Sequence, residues 1–251
     1  MRSQKKNIDL FYNKNSIFNK IKIYIEAESN SLISYIFQNF FTCSLGWIPG
    51  ITGIGLRNIF YKIFFKKLHK GVSFENNIRI KGARYIEIGE FSYFNSNIYL
   101  HGTKKYIKIG RNNYFSYGCV INVLNFTELE NSFIEIGDSC YFGEYSILRG
   151  QGGLKIGNNV LVSPYTAFYP NSHIFKNKNI PFNKQGTINK GITVGDNVWI
   201  GSHSIILDGS DIGNNCIIGA GSVVKGKIPN DTMYFNKKDD VIKKMFFDEN
   251  N

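Results

Sequence analysis

From Val194 to Val224 the chain reads VGDNVWIGSHSIILDGSDIGNNCIIGAGSVV, and an aliphatic residue returns at every sixth position: Val194, Ile200, Ile206, Ile212, Ile218 and Val224. Glycine follows four of them directly, as Gly195, Gly201, Gly213 and Gly219. Val198, Ser204, Ser210, Cys216 and Ser222 stand four places after an aliphatic, so a small or modest side chain recurs with the same period. A helix repeats at 3.6 residues and a strand at 2, and neither period produces a strict six. A triangular coil does: each hexad is a short strand plus a turn, three hexads close one coil of a parallel β-helix, and the aliphatics fill a shared interior. The small residues then fit the corners, and the GDN and GNN runs supply the backbone angles that the turns require.

The same Ile-Gly mark recurs upstream at Ile88, Ile109, Ile136 and Ile156 before Val194 and Ile212. Successive marks lie 21, 27, 20, 38 and 18 residues apart. Against an eighteen-residue coil, loops are extruded at chosen corners, and the largest, residues 168–191, reads FYPNSHIFKNKNIPFNKQGTINKG. So long an extrusion from a regular body points to function. The fold expected is an all-β solenoid over residues 71–231, preceded by a basic, helical segment (1–70) and followed by a tail (232–251) in which KKDDVIKKMFF forms a short helix.

Residues 1–70 lack the six-fold period. In LRNIFYKIFFKKLHK, helical spacing sets Leu56, Ile59, Phe60, Ile63, Phe64 and Leu68 on one face and Arg57, Lys62 and Lys66 on the other. The run LISYIFQNFF is half a membrane span in length. Two readings stand: the helices cap the open end of the solenoid, or they rest on an anionic lipid surface. With 30 Lys+Arg against 19 Asp+Glu the formal charge is +11, which attracts polyanions or anionic surfaces. No nucleic-acid-binding motif accompanies it, so nucleic acid is not expected as a partner. The four cysteines (Cys43, Cys119, Cys140, Cys216) show no disulfide or metal-ligand spacing. The N-terminus lacks the apolar region and cleavage site of a signal peptide, and a cytoplasmic protein, peripheral at most to the inner face of the membrane, is expected.

Taken together, IGNNVLVSPYTAFYPNSHIF and ITVGDNVWIGSHSIILDGSDIGNNCIIGAGSVVKGKIPND resemble the hexapeptide-repeat acyltransferases of the left-handed β-helix fold, in particular the galactoside, maltose and xenobiotic O-acetyltransferase branch. The likeness covers roughly residues 80–245. It implies acetyl-CoA as co-substrate, a homotrimer with the cofactor in a groove between two subunits, a carbohydrate acceptor and no metal.

The resemblance also implies roles. His173, in the extruded loop, matches the family's catalytic base, and imidazole is the side chain whose ordinary pKa suits that task near neutrality. The Ser202 N–H would donate to the thioester oxyanion. Backbone at Ser202, Ala220 and Gly221 would hold the pantetheine arm, Trp199 would wall the acyl and acceptor pocket, and Lys225, Lys243 and Lys244 would meet the CoA phosphates. In YFGEYSILRG, the residues Glu144, Tyr145 and Arg149 are expected near His173 as acceptor contacts, with Glu144 alternatively orienting the imidazole. His203 is read as structural, and His69 and His101 as solvated. The function expected is O-acetylation of a sugar hydroxyl on a surface polysaccharide (capsule or lipopolysaccharide) or lipid-linked glycan. The alternatives are an N-acetyltransferase for a nucleotide-linked amino sugar and a non-catalytic trimerising scaffold.

Overall fold

The structure, a computed structural model, describes residues 17–29, 31–103, 105–123 and 131–236. Three helices, α1 (Ile17–Glu28), α2 (Leu32–Leu45) and α3 (Gly50–Phe60), precede three long sheets of parallel strands with eight, eight and seven members. Each coil contributes one strand to each sheet, which is the parallel β-helix that the repeat predicts, in the left-handed form that the family resemblance implies.

The hexads sit as expected. Val194 pairs with Ile212, Ile200 with Ile218 and Ile206 with Val224, so residues eighteen apart stack directly. All six are buried in one continuous core. The upstream marks Ile88, Ile109, Ile136 and Ile156 fall in the same register, so the extra residues between them leave at corners without disturbing the ladder. Phe74, Phe94, Phe115 and Phe142 stack through the first coils with centroids 5.0, 4.7 and 4.7 Å apart.

At the corners the GDN and GNN runs supply the turn angles, as expected. The left-handed backbone falls on the Asn of GDN and GNN, Asn197 and Asn215, both at φ 55°, rather than on the preceding Gly. Those glycines are needed for space: a Cβ on Gly195 would lie 2.8 Å from the Gly213 carbonyl carbon of the next coil. Between them a polar ladder ties coil to coil, with the Asp196 N–H donating to Asn214 Oδ1 (2.8 Å) and the Asn214 N–H to Asn230 Oδ1 (2.9 Å). The small corner residues are likewise bonded: Ser204 Oγ donates to the Gly219 carbonyl and Ser210 Oγ to that of Val224.

The helix expected over 56–70 ends at Phe60, followed by a 3₁₀ turn (Tyr61–Ile63) and the first strand of the solenoid, Lys67–Leu68. The cause is burial, since Tyr61, Phe64 and Phe65 plug the open end of the core against Phe74. Arg57, assigned to the polar face, is fully buried and donates to the carbonyls of Phe74, Leu45 and Ile48, while Ile59 and Ile63 face outward. His101 is also buried rather than solvated, its Nδ1 lying 3.1 Å from the Tyr99 hydroxyl, and His69 is half-buried. Burial pushes the Cys119 thiol up to about 12 and the Cys140 thiol to about 11, which leaves both inert. The expected C-terminal helix, with Lys243 and Lys244, lies outside the described residues.

Candidate active site

The strand Ala167–Tyr169 ends the regular part of its coil, and the chain then leaves the prism until Ile192. The extruded segment is a built arm. Ser172–His173 pairs antiparallel with Thr187–Ile188, setting His173 opposite Thr187. Gln185 closes the outer turn, accepting from the Asn177 N–H (3.0 Å) and donating to the carbonyls of Asn177 (2.8 Å) and Ile180 (2.7 Å). His173 is exposed on this arm, as are Phe175, Ile180, Phe182 and Ile188.

A residue that sequence reasoning missed pins the arm's base. Asp208 is 5% exposed, and its Oδ1 accepts the N–H groups of Lys190 (2.7 Å) and Gly191 (2.9 Å), where the arm rejoins the coil. Asn189 continues the connection, its Nδ2 donating to Thr187 Oγ1, opposite His173 (3.1 Å). The available signal was an acid at a corner of the coil that follows the longest extrusion.

Ser202 lies at another corner. The His203 N–H donates to the Pro164 carbonyl, the Tyr165 N–H to that of Glu144 and the Gly221 N–H to that of Ser202. Glu144, Pro164, Ser202 and Ala220 therefore form one column on successive coils. The Ser202 and Ala220 N–H groups find no acceptor among the described residues. The two groups lie one coil apart in the same column. A Cβ at Gly221 would meet nothing within 4 Å, and the backbone there approaches open space. Trp199, half exposed three residues before Ser202, donates Nε1 to Ser163 Oγ (3.2 Å) and borders this corner. The rings of Tyr145, Tyr165 and His203 stack alongside at 5.4 and 4.9 Å, all three in left-handed backbone at φ 57–60°.

The expected residues thus fall into two groups. Glu144, Tyr145, Trp199, Ser202, Ala220 and Gly221 share the corner before the third sheet, whereas Arg149, Lys225 and the root of the His173 arm lie at its far edge. Within one chain, therefore, Glu144 and Tyr145 are not on the His173 side of the sheet. The turn at His203 and the strand Ile205–Leu207, about 10 Å long at about 3.3 Å per residue, separate the Ser202 corner from that edge. Arg149 is on the arm's side, level with Tyr169 on the neighbouring rung, and its Nη2 donates to Gln151 Oε1 (2.8 Å). Among the described residues no three His, Cys, Asp or Glu side chains converge as a metal site would require.

The family model for the bacterial transferase hexapeptide (six repeats) matches residues 191–226. The chain is 36% identical over 117 residues to the galactoside O-acetyltransferase of Escherichia coli, covering 46% of this chain and 50% of that protein. It is 28% identical over 132 residues to the galactoside O-acetyltransferase of Lactococcus lactis, covering 43% and 61%. Among solved structures, a point mutant of AntD, an N-acyltransferase from Bacillus cereus in complex with dTDP and coenzyme A, superposes with a TM-score of 0.50 at 21% identity, covering 69% of this chain and 81% of that one. The chain spans between 32% and 61% of the length of the curated relatives it matches. The resemblance to the hexapeptide-repeat acyltransferases read from the sequence is borne out by these matches.

Proposed function

We propose that the chain is an acetyl-CoA-dependent O-acetyltransferase acting on a sugar hydroxyl of a surface polysaccharide or lipid-linked glycan. The observation that carries the reading is the pair of unpartnered N–H groups at Ser202 and Ala220, on a corner bordered by Trp199, in a chain that also extends a His-bearing arm. The acetyl-CoA would run along this corner, its thioester oxygen at the Ser202 N–H and a pantetheine amide at the Ala220 N–H, and Lys225, at the far edge of the sheet, would reach the phosphates only from a neighbouring copy. His173 would take the proton of the sugar hydroxyl as its oxygen attacks the carbonyl carbon. The negative charge gathers on the carbonyl oxygen, where the Ser202 N–H meets it. Collapse breaks the carbon–sulfur bond, the proton held by His173 passes to the leaving thiolate, and acetylated sugar and CoA thiol result.

Within one chain the arm's root and the Ser202 corner lie at opposite edges of a sheet. A complete site would therefore take the arm of one copy and the corner of the next, as a closed homotrimer provides. The apolar residues exposed on the arm (Phe175, Ile180, Phe182, Ile188) fit contact with a neighbour. The test is thiol release from acetyl-CoA across hydroxyl and amino sugars, free, nucleotide-linked and polymeric. Activity confined to nucleotide-linked amino sugars would replace this reading with N-acetylation. Absence of CoA binding would leave a scaffold.

A further inference from the structure

The helices at the N-terminal end of the prism leave large apolar residues exposed while burying Gln38 and Arg57. A helix on a water-soluble protein turns its apolar stripe to the core and its polar residues to solvent. Here α2 turns Gln38 inward, where it donates to the Ile80 carbonyl and accepts from the Ala83 N–H, and α3 buries Arg57 completely. Outward α2 presents Leu32, Ile33, Ile36, Phe37 and Phe40, the spacing of one helical face, with Ile33 69% exposed. Neither α2 nor the outward face of α3 carries a charge, and Ile51 at the start of α3 is 90% exposed. Trp47 between these helices, Ile63 after α3, and Phe18 on α1 at 80% exposure extend the apolar display. Exposed surface of this kind is the mark of an interaction site.

Its surroundings say with what. Lys22, Lys62 and Arg84 are exposed and form no ion pair among the described residues. Lys66 and Lys67 stand beside them and share the half-buried Glu87 at 3.9 and 4.0 Å, and Glu26 on α1 is exposed. The whole chain carries +11. A second copy brought face to face would set these cations against each other, whereas an anionic bilayer complements them and also accepts the isoleucines and phenylalanines. α2, at 14 residues, is about 21 Å long. No described helix is long and apolar enough to cross a membrane, so the helices would lie in the interface.

We propose that the outward faces of α1–α3 form a docking surface for an anionic lipid bilayer, with the apolar side chains entering the headgroup–acyl boundary and the flanking lysines held at its charged surface. This goes beyond the transfer reaction and is tested without it. The full chain is floated with vesicles of phosphatidylcholine alone and of phosphatidylcholine with phosphatidylglycerol, at low and high salt. Binding is expected to the mixed vesicles, weakening as salt rises. The triple variant Ile33→Ser, Phe37→Ser, Phe40→Ser should lose roughly tenfold or more of that partitioning, with its melting transition and its mass by sedimentation unchanged. Wild-type chain that stays in the aqueous phase, or a triple variant that still floats with it, overturns the proposal. If instead the triple variant lowers the sedimentation mass of a protein indifferent to vesicles, the face belongs to a second copy. Vesicle binding that appears only after residues 1–16 are deleted would show the face to be covered by the chain itself.

Discussion

Removing one hydrogen atom tests the oxyanion assignment most directly, and the fold shows how to do it. The column Glu144, Pro164, Ser202, Ala220 repeats one corner position on four coils, and proline already occupies it once, so the backbone there accepts the fixed φ of the ring. Pro164 fits because Gly143 on the preceding coil leaves room: a Cβ at 143 would lie 2.7 Å from the Pro164 Cδ. Ser202 is preceded in the stack by Ser163, whose Cβ would crowd a new ring. The variant to make is therefore Ser163→Gly with Ser202→Pro, which reproduces the Gly143–Pro164 pair one coil on. Ser163→Gly alone is the control, since it also removes the acceptor of Trp199 Nε1. The lost conformational freedom of the unfolded chain at proline, about 0.4–1 kcal/mol, offsets the cost of the added glycine, so the melting transition of the double variant should match that of the wild-type chain. Removing one oxyanion donor costs about 10²–10³ in kcat, or roughly 2.7–4 kcal/mol of transition-state stabilisation. Single-turnover acetyl transfer at saturating acetyl-CoA measures it, and equilibrium binding of CoA should change little. A folded double variant whose rate stays within a factor of about three of the control, far short of the loss expected of an oxyanion donor, would refute the role of the Ser202 N–H.

Three further outcomes are expected. His173→Ala should lower kcat by roughly 10²–10⁴ with acetyl-CoA affinity retained, and a variant keeping more than about a tenth of wild-type kcat would show that the base lies elsewhere. Co-refolding inactive His173→Ala with the inactive Ser163→Gly/Ser202→Pro chain in equal amounts should restore about a quarter of wild-type activity, because a site shared by neighbours finds both intact halves with that frequency; no recovery in mixed oligomers would mean that each chain builds its own site. Asp208→Ala should speed amide exchange at Lys190 and Gly191 and lower kcat more than it raises KM. Asp208→Asn, which keeps an acceptor oxygen, should restore both, and unchanged exchange in Asp208→Ala would remove the carboxylate from the account of how the arm is held.

The six-residue period determined the interior by itself. Once Val194, Ile200 and Ile206 recur at six, only a three-sided coil places all of them inside, and the surplus between Ile-Gly marks locates the arm that bears His173. These features are local and periodic, and a repeat prints them in the chain. Tertiary structure decided what depends on residues distant in sequence. Asp208 holds Lys190 and Gly191 only because the next coil passes over the arm's root. Arg57 is buried because Leu45, Ile48 and Phe74 turn three carbonyls toward it, and helical periodicity, which counts polar residues as outward, carries no record of such partners. The spacing that sorted Ile59 and Ile63 into the core failed for the same reason: the end of a β-helix is plugged by a few large rings, Tyr61, Phe64 and Phe65, and once these fill it the remaining apolar residues have no interior left to enter.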